Sequence, residues 1–266
     1  MKNTDFNERN NEILKYIKEK GKASVPDLST LFNASPCTIR RVLNQMSDNK
    51  LVKRYYGGVI FNESNITEPA VNNRALFNPI EKQEIAKAAA NIISNGETII
   101  LLGGTTVNAI CPFLKGKNNL KVITNSIVIV NQLIPMEEIE VIFLGGVLNR
   151  KELFVTGYLT SLCIKDLHAD KLFFGVRAIH QQHGLMLDDP NELEIYRSLM
   201  NAAEQNIVLA DHSKFTQTGT IVLSPIDNVH KIITDDKIPQ TFVKNINYKR
   251  IIQICKINTL TEERNS

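Results

Sequence analysis

With 266 residues, 43% of them apolar and 22% charged, the chain has a globular composition, a length that suits two domains, and enough apolar side chains to exclude disorder as the default. No apolar run approaches the roughly 18 residues that span a bilayer, and the polar start lacks the apolar stretch of a secretory signal, so the expected location is the cytoplasm. The net charge of +3 is uneven: residues 1–60 hold 11 Lys/Arg against 6 Asp/Glu and the remainder 20 against 22, which puts any contact with a polyanion at the front of the chain.

The spacing of Ile13, Leu14 and Ile17 predicts a first helix over Arg9 to Lys20, stopped by Gly21 as a C-cap. Ser24 is placed to cap a second, short helix, with Pro26 in its first turn, Asp27 completing a capping box, and Leu28 and Leu31 facing inward. Ser35 caps a third helix that opens at Pro36 and runs to about Ser47. Its apolar stripe is Ile39, Val42, Leu43 and Met46. The opposite face then carries Cys37, Arg41 and Asn44, flanked by Thr38, Arg40 and Gln45. Arg pairs bidentately with guanine and Asn or Gln with adenine, while Ser35 and Thr38 at the helix N-terminus suit phosphate oxygens. Two apolar runs around Tyr56-Gly57-Gly58 predict a hairpin wing, with Lys53 and Arg54 directed at backbone phosphates. A three-helix unit with a wing is the expected fold of residues 1–61.

Residues 62–79 are polar, hold two prolines and lack a sustained period, which predicts a linker with short strand or turn pieces. An amphipathic helix over Glu81 to Asn95 then opens a second domain, residues 80–256. Seven short apolar runs follow, at Thr98–Leu102, Leu120–Thr124, Glu140–Leu144, Lys171–Phe174, Asn206–Ala210, Lys231–Thr234 and Arg250–Cys255. Such runs, alternating with helical stretches, predict a mostly parallel, Rossmann-like α/β sheet covered on both faces. Small polar groups close five of them: Gly103-Gly104-Thr105-Thr106, Thr124-Asn125, Gly145-Gly146, Gly175, and Asp211 to Lys214. Ligands of open parallel sheets bind at the carboxyl ends of strands, so these segments are candidates for one pocket. The Gly103 to Thr106 turn, opening a helix over Val107 to Phe113, suits an anion, and Lys214 adds a point charge.

The four cysteines, Cys37, Cys111, Cys163 and Cys255, form no C-x-x-C pair and are expected as buried free thiols; no metal or other cofactor is implied. His180 and His183, three apart in a loop-like stretch, are assigned no role. The residues leave two other readings open. One is an enzyme that isomerises a sugar phosphate, with Asp211 the only carboxylate in the strand-end motifs to serve as base. The other is a protein-docking module.

The head resembles that of the DeoR family of bacterial regulators, whose pattern S-x-x-T-I-R-R-D-L is matched by Ser35-Pro-Cys-Thr-Ile-Arg-Arg-Val-Leu43, and whose R-x-H-G-G is matched by Arg54-Tyr-Tyr-Gly-Gly58. Val42 stands where the family usually has Asp, and Tyr56 where it has His. The body resembles the family's second domain, itself similar to sugar-phosphate isomerases such as ribose-5-phosphate isomerase. The matching pieces are G-T-T at 104–106, T-N at 124–125, G-G at 145–146, F-F-G at 173–175, G-L at 184–185 and A-D-H-S-K-F at 210–215. Leu102 departs from an acidic residue, and Tyr196-Arg197 from Lys-Arg. The D-G-x-D-E run and the glycine-rich segment near the isomerase base have no match. The resemblance implies a repressor of carbohydrate-metabolism genes that assembles as a homo-oligomer and releases operator DNA when a phosphorylated sugar binds.

Overall fold

The computed structural model describes residues 10, 12–14, 16–17, 20–48, 51–61, 71–244 and 250–257, and the chain divides into two compact units, 1–77 and 78–266. Among the described residues no helix is long and apolar enough to cross a membrane.

The described residues of the first unit up to Phe61 form three helices and a small sheet. The described residues between Asn10 and Lys20 are helical, with Ile13, Leu14 and Ile17 buried; Arg9, named as the helix start, lies outside the described residues. Gly21 follows in the left-handed conformation, φ +73°, as a C-cap glycine does. The chain then forms a strand that the sequence reading missed, β1 (Lys22–Ser24), and two helices, α1 (Val25–Leu31) and α2 (Pro36–Asp48). The Ser24 side chain accepts from the Asp27 N–H at 3.2 Å, and its hydroxyl donates to the Asp27 carboxylate at 2.6 Å. Leu31 is not inward: it is 56% exposed, because α1 ends there, and Phe32 packs against the core in its place. Strands β2 (Val52–Tyr55) and β3 (Gly58–Phe61) form the antiparallel hairpin, with β1 on the other side of β3. Tyr55 faces Gly58 across the turn, so the loop is Tyr56-Gly57 and Gly58 belongs to the strand. Gly57 has φ +89°, as such a tight turn requires, and a side chain at Gly58 would meet the Ala23 carbonyl at 2.4 Å. Of the expected linker, residues 62–70 lie outside the described residues, and Val71–Arg74 make one helical turn.

The second unit opens with α3 (Pro79–Asn91), which starts two residues earlier and stops four earlier than its apolar pattern suggested. All seven expected runs are strands of one sheet: β4 (Thr98–Leu101), β5 (Leu120–Thr124), β6 (Ile139–Phe143), β9 (Ala169–Phe174), β12 (Ala203–Leu209), β14 (Lys231–Asp235) and β15 (Ile252–Cys255). Their order is β15-β14-β12-β9-β4-β5-β6, and each neighbouring pair is parallel. Alternate side chains build two cores. Ile99, Leu101, Phe173 and Ile207 pack with Ile85 and Ala89 of α3 on one face. Ile100, Leu172, Phe174 and Val208 pack on the other face with Ile195 and Leu199, which belong to the helix Pro190–Asn201. Burial on both faces explains why these strands read as unbroken apolar runs. The reading missed the antiparallel pieces, the hairpin β7 (Val147–Asn149) with β8 (Phe154–Thr156), and a small sheet of β10 (Ala178–His180), β11 (Gly184–Leu187) and β13 (Ile221–Ser224). Three- and four-residue strands are too short to show a period.

The expected helix over Val107 to Phe113 is broken. Thr105–Asn108 make one α-helical turn, α4, and Cys111–Leu114 a 3₁₀ turn. Pro112 lacks the N–H for a bond to the fourth preceding carbonyl, and its ring crowds that carbonyl. Helix α5 (Ile127–Leu133) follows β5, and α6 (Tyr158–Ile164) follows β8. The thiols also differ from expectation: Cys111 is buried and Cys255 partly so, but Cys37 and Cys163 are exposed. Burial pushes the Cys111 thiol up to about 12 and Cys255 up to about 11, so both stay protonated and unreactive.

Candidate functional site

In the first unit the helix period sorts α2 cleanly. Ile39, Val42, Leu43 and Met46 are buried, while Cys37, Arg40, Arg41, Asn44 and Gln45 are exposed. Val42, the departure from the family pattern, is 1% exposed and belongs to the apolar core of this unit. Ser35 caps the helix: its Oγ accepts the Thr38 N–H at 3.1 Å and lies 2.8 Å from the Thr38 hydroxyl. These two hydroxyls therefore hold the helix start as well as facing outward. Arg54 donates to the Asn44 amide oxygen, which ties the wing strand to the exposed face of α2. Lys53, adjacent on β2, stands on the other face of the hairpin, in a cross-strand row with Ile60 and Lys22. Strand alternation thus splits two cations that the sequence placed together. Tyr56 projects fully from the wing tip.

In the second unit the parallel sheet brings its strand ends to one edge, and the chain order changes direction between β4 and β9. From β4 the sheet grows one way through β5 and β6, and from β9 the other way through β12, β14 and β15. That is the topological switch point, where open sheets leave a crevice. Gly103 and Gly104 leave β4 on one side of it and Gly175 leaves β9 on the other; a side chain at Gly175 would meet only the Leu209 carbonyl, at 3.8 Å. Strands lie about 4.8 Å apart, so β5 and β12 are within reach of a small ligand held there. Gly145 and Gly146, beyond β6, are about 10 Å from the β4 end, and the structure gives them another task. The Thr160 hydroxyl donates to the Gly145 carbonyl at 2.7 Å, and a side chain at Gly146 would lie 2.1 Å from the Thr160 oxygen. The glycine pair lets α6 approach.

Several expected ligand groups are occupied by the protein itself. Thr124 is fully buried, its hydroxyl donating to the Leu101 carbonyl at 2.7 Å. Asn125, 4% exposed, accepts from the Gly103 N–H at 3.0 Å and donates to the Val155 carbonyl at 3.2 Å, binding the glycine turn to β8. Asp211, 2% exposed, caps the 3₁₀ turn His212–Phe215, and one carboxylate oxygen accepts from the Ser213 N–H at 3.0 Å, the Ser213 hydroxyl at 2.5 Å and the Asn78 amide at 2.9 Å. Leu102 is buried in the core, as is Tyr196, whose ring meets Phe174 edge-on at 5.9 Å. Arg197 is also structural, donating to the carbonyls of Val222 and Leu223. The Gly103–Gly104 turn, Thr105 and Lys214 are each partly exposed, and Thr106 is nearly buried.

One pair was missed. His212 sits beside fully buried Asp235: its Nδ1 is 3.0 Å from one carboxylate oxygen, and its N–H donates to the other at 2.7 Å. The hydrogen bond to Asp235 raises the His212 pKa above its ordinary 6.5 against the opposing effect of burial. Burial pushes Asp235 up, but hydrogen bonds from the His212 ring, the His212 N–H and the Lys237 N–H together hold it below its ordinary 3.8. Nearby, Lys237 donates to Glu81 at 2.6 Å. His212 lay within the A-D-H-S-K-F piece, but nothing in the sequence tied it to a residue 23 positions later. His180 and His183 stack at 4.6 Å, and His180 Nδ1 accepts the N–H groups of Gln182 and His183. Among the described residues no cluster of His, Cys, Asp or Glu suits a metal ion.

Comparison with known proteins follows the same two units. Residues 9–65 match the family described as DeoR-like helix-turn-helix domain, and residues 78–236 the DeoR C terminal sensor domain. The chain is 30% identical to the HTH-type transcriptional regulator GolR of Listeria innocua, covering 89% of this chain and 93% of that protein. It is 30% identical to the putative aga operon transcriptional repressor of Escherichia coli O157:H7, over 89% and 88%. It is 28% identical to the glycerol-3-phosphate regulon repressor of Escherichia coli K12, over 93% and 98%. Among solved structures, ribose 5-phosphate isomerase A from Methanocaldococcus jannaschii is 18% identical over 50% of this chain and 53% of that one, with a TM-score of 0.37.

Proposed function

The chain belongs to the DeoR family of transcriptional regulators, and from that premise we infer a repressor of carbohydrate-metabolism genes whose grip on operator DNA a phosphorylated sugar releases. Arg40, Arg41, Asn44 and Gln45 enter the major groove and read base edges, and Ser35, Thr38, Lys53 and Arg54 hold phosphates. Arg54, joined to Asn44, also fixes the wing against the reading face. The effector's phosphate rests on the turn from Gly103 to Thr106, where backbone N–H groups and hydroxyls converge beside Gly175, with Lys214 supplying positive charge. Thr124, Asn125 and Asp211 act by holding that turn and the Lys214 loop in place, and Gly145 and Gly146 by seating α6. The protein works in the cytoplasm, as a homo-oligomer.

The observation that carries this reading is a polar, exposed α2 face in the first unit and, in the second, a glycine turn at the end of β4, where the strand order reverses. Binding rather than catalysis suits the second unit, because Asp211, the one carboxylate within the strand-end motifs, already accepts three hydrogen bonds through one oxygen and is poorly placed to serve as a base. The test is a panel of phosphorylated sugars, with inorganic phosphate alongside, added to the complex of the full chain with DNA from upstream of its gene. One member of the panel releases the DNA, and Lys214→Ala keeps DNA affinity while losing that release. Unchanged release in Lys214→Ala overturns its role, and turnover of a sugar phosphate overturns the reading of a binder.

A further inference from the structure

We propose that the free edge of the large sheet, together with the outward flank of α6, is the face on which two copies of this chain join. Strand β6 ends the sheet. Edge strands are ordinarily blunted by charge, proline or a bulge, because their unpaired N–H and C=O groups invite another strand. After Glu140, β6 carries only Val141, Ile142 and Phe143. Ile142 is 36% exposed and Phe143 44%, although successive strand residues point to opposite faces, so both faces lie open at this end.

The apolar surface continues beyond the strand. Helix α6 turns Tyr158, Leu159 and Leu162 outward, at 76%, 57% and 49% exposure, along one flank, while Thr160 and Ile164 face in. It is seated on the end of β6 by the Thr160 bond to Gly145, and Val147, 67% exposed, lies against Gly157 at the start of the same helix. Exposed apolar residues therefore follow one another from the end of β6 through β7 to α6. With apolar and aromatic side chains of this size, these six residues leave roughly 600 Å² open, at the upper end of what a monomer exposes. A standard interface hides about 800 Å² per partner, at most about 65% of it apolar, which needs roughly 500 Å² of apolar surface. The patch meets that requirement without help from elsewhere.

Charge selects the occupant. Glu137 and Glu138 are exposed just before β6 opens, and Arg150 and Lys151 are exposed beyond its carboxyl end, at the tip of the β7–β8 hairpin. A second copy related by a two-fold axis, with its β6 running antiparallel to the first, brings the acidic end of each patch to the basic end of the other. An isologous contact of this kind closes on itself. The proposal rests on the regulator reading only for its expectation of more than one copy.

Sedimentation equilibrium of the full chain tests it. The wild type has a mass that is a multiple of 29.9 kDa. Leu159→Asp and Val147→Asp, both at exposed positions, halve that mass with unchanged circular dichroism. Reversing one end, Glu137→Lys with Glu138→Lys, raises the dissociation constant at least tenfold, and adding Arg150→Glu with Lys151→Glu restores it. A wild type of 29.9 kDa at every concentration, or unaltered mass in both aspartate variants, overturns the proposal. If the mass halves as stated while no form of the protein binds DNA, the surface stands and the regulator reading falls; DNA binding with unaltered mass gives the reverse.

Discussion

The two units spend their polar residues differently. In α2 the apolar stripe packs the core and leaves Arg40, Arg41, Asn44 and Gln45 exposed, so the packing residues and the polar surface residues of one helix are separate. At the strand ends of the second unit the polar residues are largely turned inward. Thr124, Asn125 and Asp211 satisfy backbone groups and the side chains of Asn78 and Ser213, and the turn at Gly103 and Gly104 keeps its main chain partly exposed. A helix can give one face entirely to a partner, because its own backbone is satisfied within the helix. A turn leaving a strand has no such internal partners, and side chains must satisfy its N–H groups before they serve anything else.

The largest effect expected from this contrast is on the first unit's core. Leu43→Ala, at a fully buried position, costs about 2–5 kcal/mol and abolishes DNA binding at physiological temperature. Hydrogen exchange of the full chain checks it: α2 amides lose protection and β9 amides keep theirs, and equal loosening of both breaks the comparison by making the units one cooperative body. In the second unit, Asn125→Ala leaves the Gly103 N–H and the Val155 carbonyl without partners and costs about 1–3 kcal/mol. The urea midpoint falls accordingly; an unmoved midpoint would return Asn125 to direct ligand binding. Arg41→Ala lowers discrimination between operator and random DNA by about tenfold to a hundredfold with little change in stability. Titrations on both DNAs measure this, and equal loss on each makes Arg41 a phosphate contact.

The smallest expected effect is on pH dependence. The raised His212 pKa contributes stability that is complete below 6.5 and fades as pH rises through the folded-state value. The lowered Asp235 pKa contributes stability that is complete above 3.8 and fades as pH falls. Their pairing is therefore strongest in weak acid. Between about pH 5.5 and 8.5 the wild type loses more melting temperature than His212→Gln does, and parallel curves for the two proteins would show the contact to be immaterial to stability.

The sequence alone was enough for the two-part architecture, the seven parallel strands and the exposed face of α2. Each of these follows from a period in nearby residues, 3.6 for the amphipathic helix and continuous apolar runs for strands buried on both faces. The same local cues identified the glycine turn and the lysine as features of strand ends. Only the fold decided that Leu31 faces solvent, that Lys53 and Arg54 part across a hairpin, that Asn125 and Asp211 brace turns, and that His212 meets Asp235. The last is a contact between a 3₁₀ turn and the end of a strand whose sequence separation carries no period, and the others depend on which neighbour arrives to take the space or the hydrogen bond. Side-chain direction along one element is encoded locally; what lies at the end of that direction is settled by the packing of the rest of the unit.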